Sequence, residues 1–156
     1  MKILVLNGPN LNFLGIREPE IYGRQTYRDL LDMLDEKAAK DGLELVAKQS
    51  NHEGQLIDWI QEAYFDGTDA IVINPGALTH YSYALYDALS SVTTIPKIEI
   101  HISDITKREG FRKVSLTKDG CDMQIYGRGF QGYLDAIDEA VQIVSRKGSS
   151  DGEKNS

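Results

Sequence analysis

Leu4–Gly23 reads LVLNGPNLNFLGIREPEIYG, and the fold turns on how its first residues pass into the rest. Lys2-Ile3-Leu4-Val5-Leu6 is a short apolar run of the kind that forms a buried strand. It stops at Asn7-Gly8-Pro9-Asn10, residue types that supply the special backbone angles of turns. No long helix follows at once. Asn12, Arg17, Glu18, Glu20 and Tyr22 lie in a segment with no clear period. A first strand that feeds a polar loop is where an α/β sheet builds a site, at the carboxyl ends of its strands. The Arg17 guanidinium and the Tyr22 phenol, five residues apart, form a workable pair for moving a proton.

Working outward, short β-branched runs alternate with longer helical ones. Thr26 is a suitable N-cap with Asp29 three residues on, Leu30, Leu31, Leu34 and Ala38 mark one helical face, and Gly42 ends it. A second strand is expected from Leu43 to Lys48. Ser50 and Glu53 predict a capping box for a helix carrying Leu56, Ile57, Ile60 and Tyr64, with Gly67 as its stop. Ala70-Ile71-Val72-Ile73 is apolar throughout, as expected of a parallel strand covered on both faces, and breaks at Asn74-Pro75-Gly76. A third helix with Tyr81, Leu85, Ala88, Leu89 and Val92 places His80 at its start. The seven-residue spacing then puts His80 and Asp87 on one helical face. Strand four is expected over Lys97–Ile102 and strand five near Met123–Tyr126, with an irregular charged stretch between them from Asp104 to Lys118. Phe130, Tyr133, Leu134, Ile137, Val141 and Val144 predict an amphipathic last helix. The alternation predicts a single three-layer α/β domain over residues 1–146 with a five-stranded parallel sheet. KGSSDGEKNS, residues 147–156, has no apolar side chain and is expected to be a disordered tail.

Composition excludes several classes. A net charge of −7 argues against nucleic-acid or anionic-membrane partners, which need a basic surface. The one cysteine, Cys121, forms no internal disulfide and no structural zinc site alone. No apolar run approaches the roughly 20 residues of a membrane span. The amino terminus enters a strand pattern without a signal-peptide layout, so a cytoplasmic protein is expected.

Three strands end in polar signals, at Asn7–Asn10, Asn74–Gly76 and Glu99–Ser103. In one parallel sheet they share an edge. Glu99 precedes His101 by two residues, so the pleat points both to one side of the strand. A carboxylate beside an imidazole fixes its tautomer and stabilises its protonated form, as a general acid or base requires. Arg108 and Arg112, four apart, can lie on a solvated face or clamp a carboxylate. Gly127-Arg128-Gly129-Phe130-Gln131-Gly132 matches G-x-G-x-x-G between a strand and a helix. A dinucleotide fingerprint also needs a following strand and an acidic residue about 20 positions on, so close helix–strand packing explains the glycines better.

The motifs NGPNLNFLGIREPEIYG, QSNHEG (Gln49–Gly54), INPGALTHYS (Ile73–Ser82) and EIHISDITKREGFRKVS (Glu99–Ser115) closely resemble those of type II 3-dehydroquinate dehydratase, over residues 2–145. The resemblance implies a flavodoxin-like sheet, no cofactor and no metal. It implies a dodecamer of trimers and anti elimination of water from 3-dehydroquinate. By the same resemblance Tyr22 is the base, Arg17 favours its anion, Asn10 holds a water that stabilises the enolate, and His101 is the acid with Glu99 as orienter. Asn74, His80, Asp87, Ile102, Ser103 and Arg112 match substrate contacts, Asp87 being supplied by a neighbouring subunit. A phenol ionises near pH 10 or so in water, and a nearby cation lets it act as a base at neutrality. Asp104, Thr106, Lys113, Met123 and Arg128 depart from the common pattern.

Overall fold

The computed structural model describes residues 1–154. Five parallel strands, β1 (Lys2–Asn7), β2 (Glu44–Gln49), β3 (Ala70–Asn74), β4 (Lys97–His101) and β5 (Met123–Tyr126), form one sheet in the order β2-β1-β3-β4-β5. This is the doubly wound order of flavodoxin-like sheets, whose direction of growth reverses between β1 and β3.

Alternation along the strands decides the layers. Ile3, Val5, Ala70, Val72, Ile98 and Ile100 pack with α2 (Tyr27–Asp41) and α5 (Gln131–Lys154) on one face. Leu4, Leu6, Ile71 and Ile73 pack with α3 (Glu53–Phe65) and α4 (Tyr83–Ser91) on the other. On β4 that second face carries Lys97, Glu99 and His101, all buried, where its neighbour β3 carries isoleucines. The β4–β5 connection crosses there without an α-helix, in three 3-10 turns at Ile105–Lys107, Gly110–Lys113 and Thr117–Gly120. Short polar turns thus cover a polar strip that an apolar helix face would leave unpaired.

Local signals mostly act as read. Thr26 and Asp29 form a reciprocal capping box at the start of α2, and Gly42 closes that helix at φ 65°. The second box does not form. His52 is the N-cap of α3, Ser50 accepts from the His52 amide, and the Glu53 carboxylate accepts from Ser82 Oγ at 2.5 Å. The same hydroxyl accepts from the Leu85 amide and caps α4, which therefore starts at Tyr83. His80 ends a separate 3-10 turn, Gly76–His80, so it does not share a helix with Asp87 as expected. A four-residue helix, α1 (Pro19–Tyr22), interrupts the long first loop. At the carboxyl terminus α5 continues through Lys154 across the segment read as a tail; Asn155 and Ser156 lie outside the described residues.

Gly132 settles the G-x-G-x-x-G motif. A Cβ there would come 2.5 Å from Ile100 Cδ1 and 3.7 Å from Ile125 Cγ2, so the glycine lets α5 lie close on the sheet.

Candidate active site

The loops after β1 and β3 interlock at the point where the sheet order reverses. Gly8 N donates to the Asn74 carbonyl at 2.8 Å. A Cβ on Gly8 would overlap the Pro75 carbonyl oxygen, and one on Gly76 (φ 61°) would come 2.9 Å from the Pro9 oxygen. Only glycine permits either approach. Gln49 and Asn51 pin the first loop from the side: Gln49 Nε2 donates to the Gly8 carbonyl at 3.2 Å, and Asn10 N donates to Asn51 Oδ1 at 2.9 Å. Behind the loops the buried Tyr133 hydroxyl donates to Asn7 Oδ1 at 2.6 Å and accepts from Asn74 Nδ2 at 2.9 Å. Burial pushes the Tyr133 phenol up, so it stays neutral, and it fixes the Asn74 amide with Gly76 N on Asn74 Oδ1.

A pocket opens at this edge. Arg17 and Tyr22 from the first loop, Asn74 and His80 from the β3 side, and His101, Ile102, Ser103, Arg108 and Arg112 from the β4 side all line it. Among the described lining residues there is no Asp or Glu, although the chain as a whole carries −7. Three guanidiniums give the lining a positive charge that suits a small anion.

Tyr22 sits between two of the arginines. Arg17 Cζ lies 5.0 Å from the ring centroid and Arg108 Cζ 5.9 Å, with Arg108 Nη1 3.4 Å from the Tyr22 hydroxyl and 3.5 Å from Ser103 Oγ. The loop that presents Tyr22 contains Glu18 at φ 38°, a left-handed angle uncommon outside glycine.

His101 Nε2 donates to Glu99 Oε2 at 2.9 Å, which leaves Nδ1 as its free nitrogen. Glu99 is fully buried. Burial alone would push its carboxyl up. Hydrogen bonds from His101, Thr117 and Ser115 outweigh that and hold it below the ordinary value, as a carboxylate. His80 Nδ1 donates to the Val114 carbonyl at 2.6 Å, which leaves Nε2 without the hydrogen. Burial lowers the His80 imidazole and outweighs the opposing pull of that hydrogen bond, so its free nitrogen is an acceptor at neutral pH.

Three residues expected at the site do not line the pocket of the single chain: Glu99 is buried behind His101, and Asn10 and Asp87 are exposed. Asn10, left-handed at φ 70°, stands at the pocket's rim between Pro9 and Leu11, which line it. Asp87 is on α4, outside the lining. Arg108 was visible in sequence only as half of an arginine pair; its place beside Tyr22, 86 residues away, had no local signal. Asp104, a departure from the pattern, does not line the pocket. Its Oδ1 accepts from Thr106 N at 3.0 Å and Thr106 Oγ1 at 2.5 Å, so two departures cap one turn together. Arg128 pairs with Asp135 at 2.5 Å.

A family profile described as Dehydroquinase class II matches residues 1–141. The 3-dehydroquinate dehydratase of Lachnoclostridium phytofermentans is 62% identical over 143 residues, covering 92% of this chain and 98% of that one. The 3-dehydroquinate dehydratase of Lachnospira eligens is 56% identical over 147 residues, covering 94% of this chain and all of that one. The crystal structure of type II dehydroquinase from Butyrivibrio crossotus superposes with a TM-score of 0.89 at 59% identity, over 90% of this chain and 97% of that one. Sequence and backbone agree along nearly the whole length, and the chain belongs to the class II dehydroquinase family.

Proposed function

We propose that this chain is a type II 3-dehydroquinate dehydratase, which removes water from 3-dehydroquinate by anti elimination and yields 3-dehydroshikimate in the shikimate pathway. The observation that carries the reading is one cationic pocket holding both a phenol flanked by arginines and an imidazole backed by a buried carboxylate. An anionic hydroxy ketone fits that pocket, and its dehydration needs one base and one acid.

In the proposed mechanism the Tyr22 phenolate, stabilised by Arg17, removes the proton alpha to the ketone. The electron pair moves onto the ketone oxygen as an enolate. Asn10 holds the water that stabilises this oxygen. Collapse of the enolate expels the hydroxyl, which takes a proton from His101 and leaves as water. Glu99 keeps the His101 tautomer fixed and offsets its positive charge. Asn74, His80, Ile102, Ser103 and Arg112 bind the substrate, the arginine as a planar partner for the carboxylate. Proton transfer by each positioned group contributes roughly 10²–10⁴-fold.

Asp87 faces solvent in the single chain, away from the pocket. Its assignment as a substrate contact fits an assembly in which α4 faces a neighbour's site, a dodecamer of trimers. One catalytic domain contains the whole sheet and its helices. Among the described residues no helix is long and apolar enough to cross a membrane, and a cytoplasmic enzyme accords with this. Addition of 3-dehydroquinate to the purified protein should raise the conjugated-enone absorbance. A flat trace with folded protein and authentic substrate refutes the assignment.

A further inference from the structure

Glu99 is held by more than His101. Ser115 Oγ donates to its Oε2 at 2.7 Å and Gln124 Nε2 to the same oxygen at 2.7 Å. Thr117 Oγ1 donates to Oε1, and Thr79 Oγ1 lies 3.3 Å from that oxygen. Thr79 Oγ1 also lies 2.8 Å from Ser115 Oγ and 2.8 Å from Thr117 Oγ1. Each hydroxyl has one hydrogen to give. Ser115 and Thr117 therefore serve one carboxylate oxygen each, and Thr79, packed between them, donates its one hydrogen to only one of its neighbours. All three hydroxyl residues are buried.

These groups come from three separate parts of the chain. Thr79 belongs to the turn after β3, Ser115 and Thr117 to the β4–β5 crossover, and Gln124 to β5, where it is the register neighbour of Glu99. Packing does not require hydroxyls here. Valine has nearly the shape of threonine, and the adjacent β3 strand is apolar on this side. A hydroxyl donor differs from a methyl group chiefly in that it stabilises the carboxylate.

We propose that Ser115 and Thr117, which donate to the two oxygens of Glu99, are positioning residues that set the proton affinity of the Glu99–His101 pair. The proposal rests on the reading of His101 as the proton donor to the leaving hydroxyl. A carboxylate with satisfied lone pairs is a weaker base. It then binds the imidazolium less tightly, so His101 is a stronger acid toward substrate. Removing a donor makes Glu99 more basic, and both apparent pKa values of the coupled pair rise. Other charged or titratable groups face the pair. His80 on the turn after β3, Arg108 and Arg112 on the crossover, and Arg17 and Tyr22 on the first loop share its pocket. Cys121 lies ahead of β5 close enough to feel the Glu99 charge, and Lys97 lies two residues earlier on the same face of β4.

The test compares Thr117→Val, Thr117→Ser and Ser115→Ala with the wild type. Two readouts are the His101 ring titration by NMR and the pH profile of kcat. Thr117→Val should raise the His101 midpoint by a few tenths to about one unit, because the charged hydrogen bond is lost at Glu99 and reaches His101 through their coupling. The alkaline limb of kcat should move the same way, while KM changes little. Thr117→Ser should restore both. If Thr117→Val does not fold, Ser115→Ala carries the same expectation, since it deletes one oxygen. Unmoved His101 midpoints overturn the proposal, as does a serine variant as impaired as the valine one, which would mark a packing role. A moved NMR midpoint with an unmoved kcat profile supports the electrostatic action on the pair and refutes instead His101 as the proton donor.

Discussion

The interlocked loops make Gly8→Ala the sharpest test of how the pocket is built. The added Cβ would overlap the Pro75 oxygen and stand 2.7 Å from the Pro75 carbon and 3.2 Å from the Asn74 oxygen. Real Cβ atoms do not tolerate such backbone contacts, so the β1 and β3 loops must separate. That stretches the 2.8 Å hydrogen bond from Gly8 N to the Asn74 carbonyl. Overpacking of this kind costs about 1–3 kcal/mol, and contact with backbone rather than a flexible side chain favours the upper half. For a chain of this size, about 2–3 kcal/mol lowers Tm by about 4–12 °C. The functional effect follows from Asn74 and Pro9, which line the pocket and move with the loops. A displacement of about 1 Å can cost about 10²-fold in rate, and kcat/KM should fall accordingly. Gly54→Ala is the control: its Cβ meets nothing within 4 Å, in the first turn of α3. Both variants are compared with the wild type by calorimetry at equal protein concentration and by the enone assay. Tm and kcat/KM at wild-type values in Gly8→Ala would show that the loops do not interlock as described.

Tyr22→Phe should abolish turnover with fold and substrate binding retained, because the ring stays and the base is removed; a residual rate above a few per cent would sink the assignment. An inactive Asp87→Ala chain mixed with an inactive Tyr22→Phe chain, under conditions of subunit exchange, should recover partial activity. Exchange proven by mass spectrometry without recovery would show that Asp87 does not act across an interface. Acid stability should report Glu99. Its folded carboxyl lies below the ordinary value of 4.5, so its contribution is complete above that pH and is lost as pH falls through the lower folded value. The Tm gap between wild type and Glu99→Gln should therefore narrow on acidification past 4.5, while the lowered His80 affects both proteins alike and cancels; a constant gap refutes the linkage.

Short-range geometry was legible in the residues themselves. The apolar run Ala70–Ile73 and the Thr26–Asp29 box act within a few residues, and both stand in the structure as read. Glu99 and His101 could be paired because the pleat brings every second side chain to one face, whatever the rest of the fold does. The motif resemblance carried the family and the roles assigned to its residues. Tertiary competition decided the remainder. The Ser50–Glu53 box was sound as a local pattern, yet the Glu53 carboxylate goes to Ser82, which arrives from another helix. That same serine starts α4 two residues after Tyr81 and separates His80 from the helix of Asp87. Arg108 beside Tyr22, and the hydroxyls of Thr79, Ser115 and Thr117 around Glu99, unite positions between 16 and 86 residues apart. No periodicity encodes such meetings. They arise because the sheet order places β4 beside β3 and β5, and because a buried carboxylate must find donors wherever the crossover can supply them.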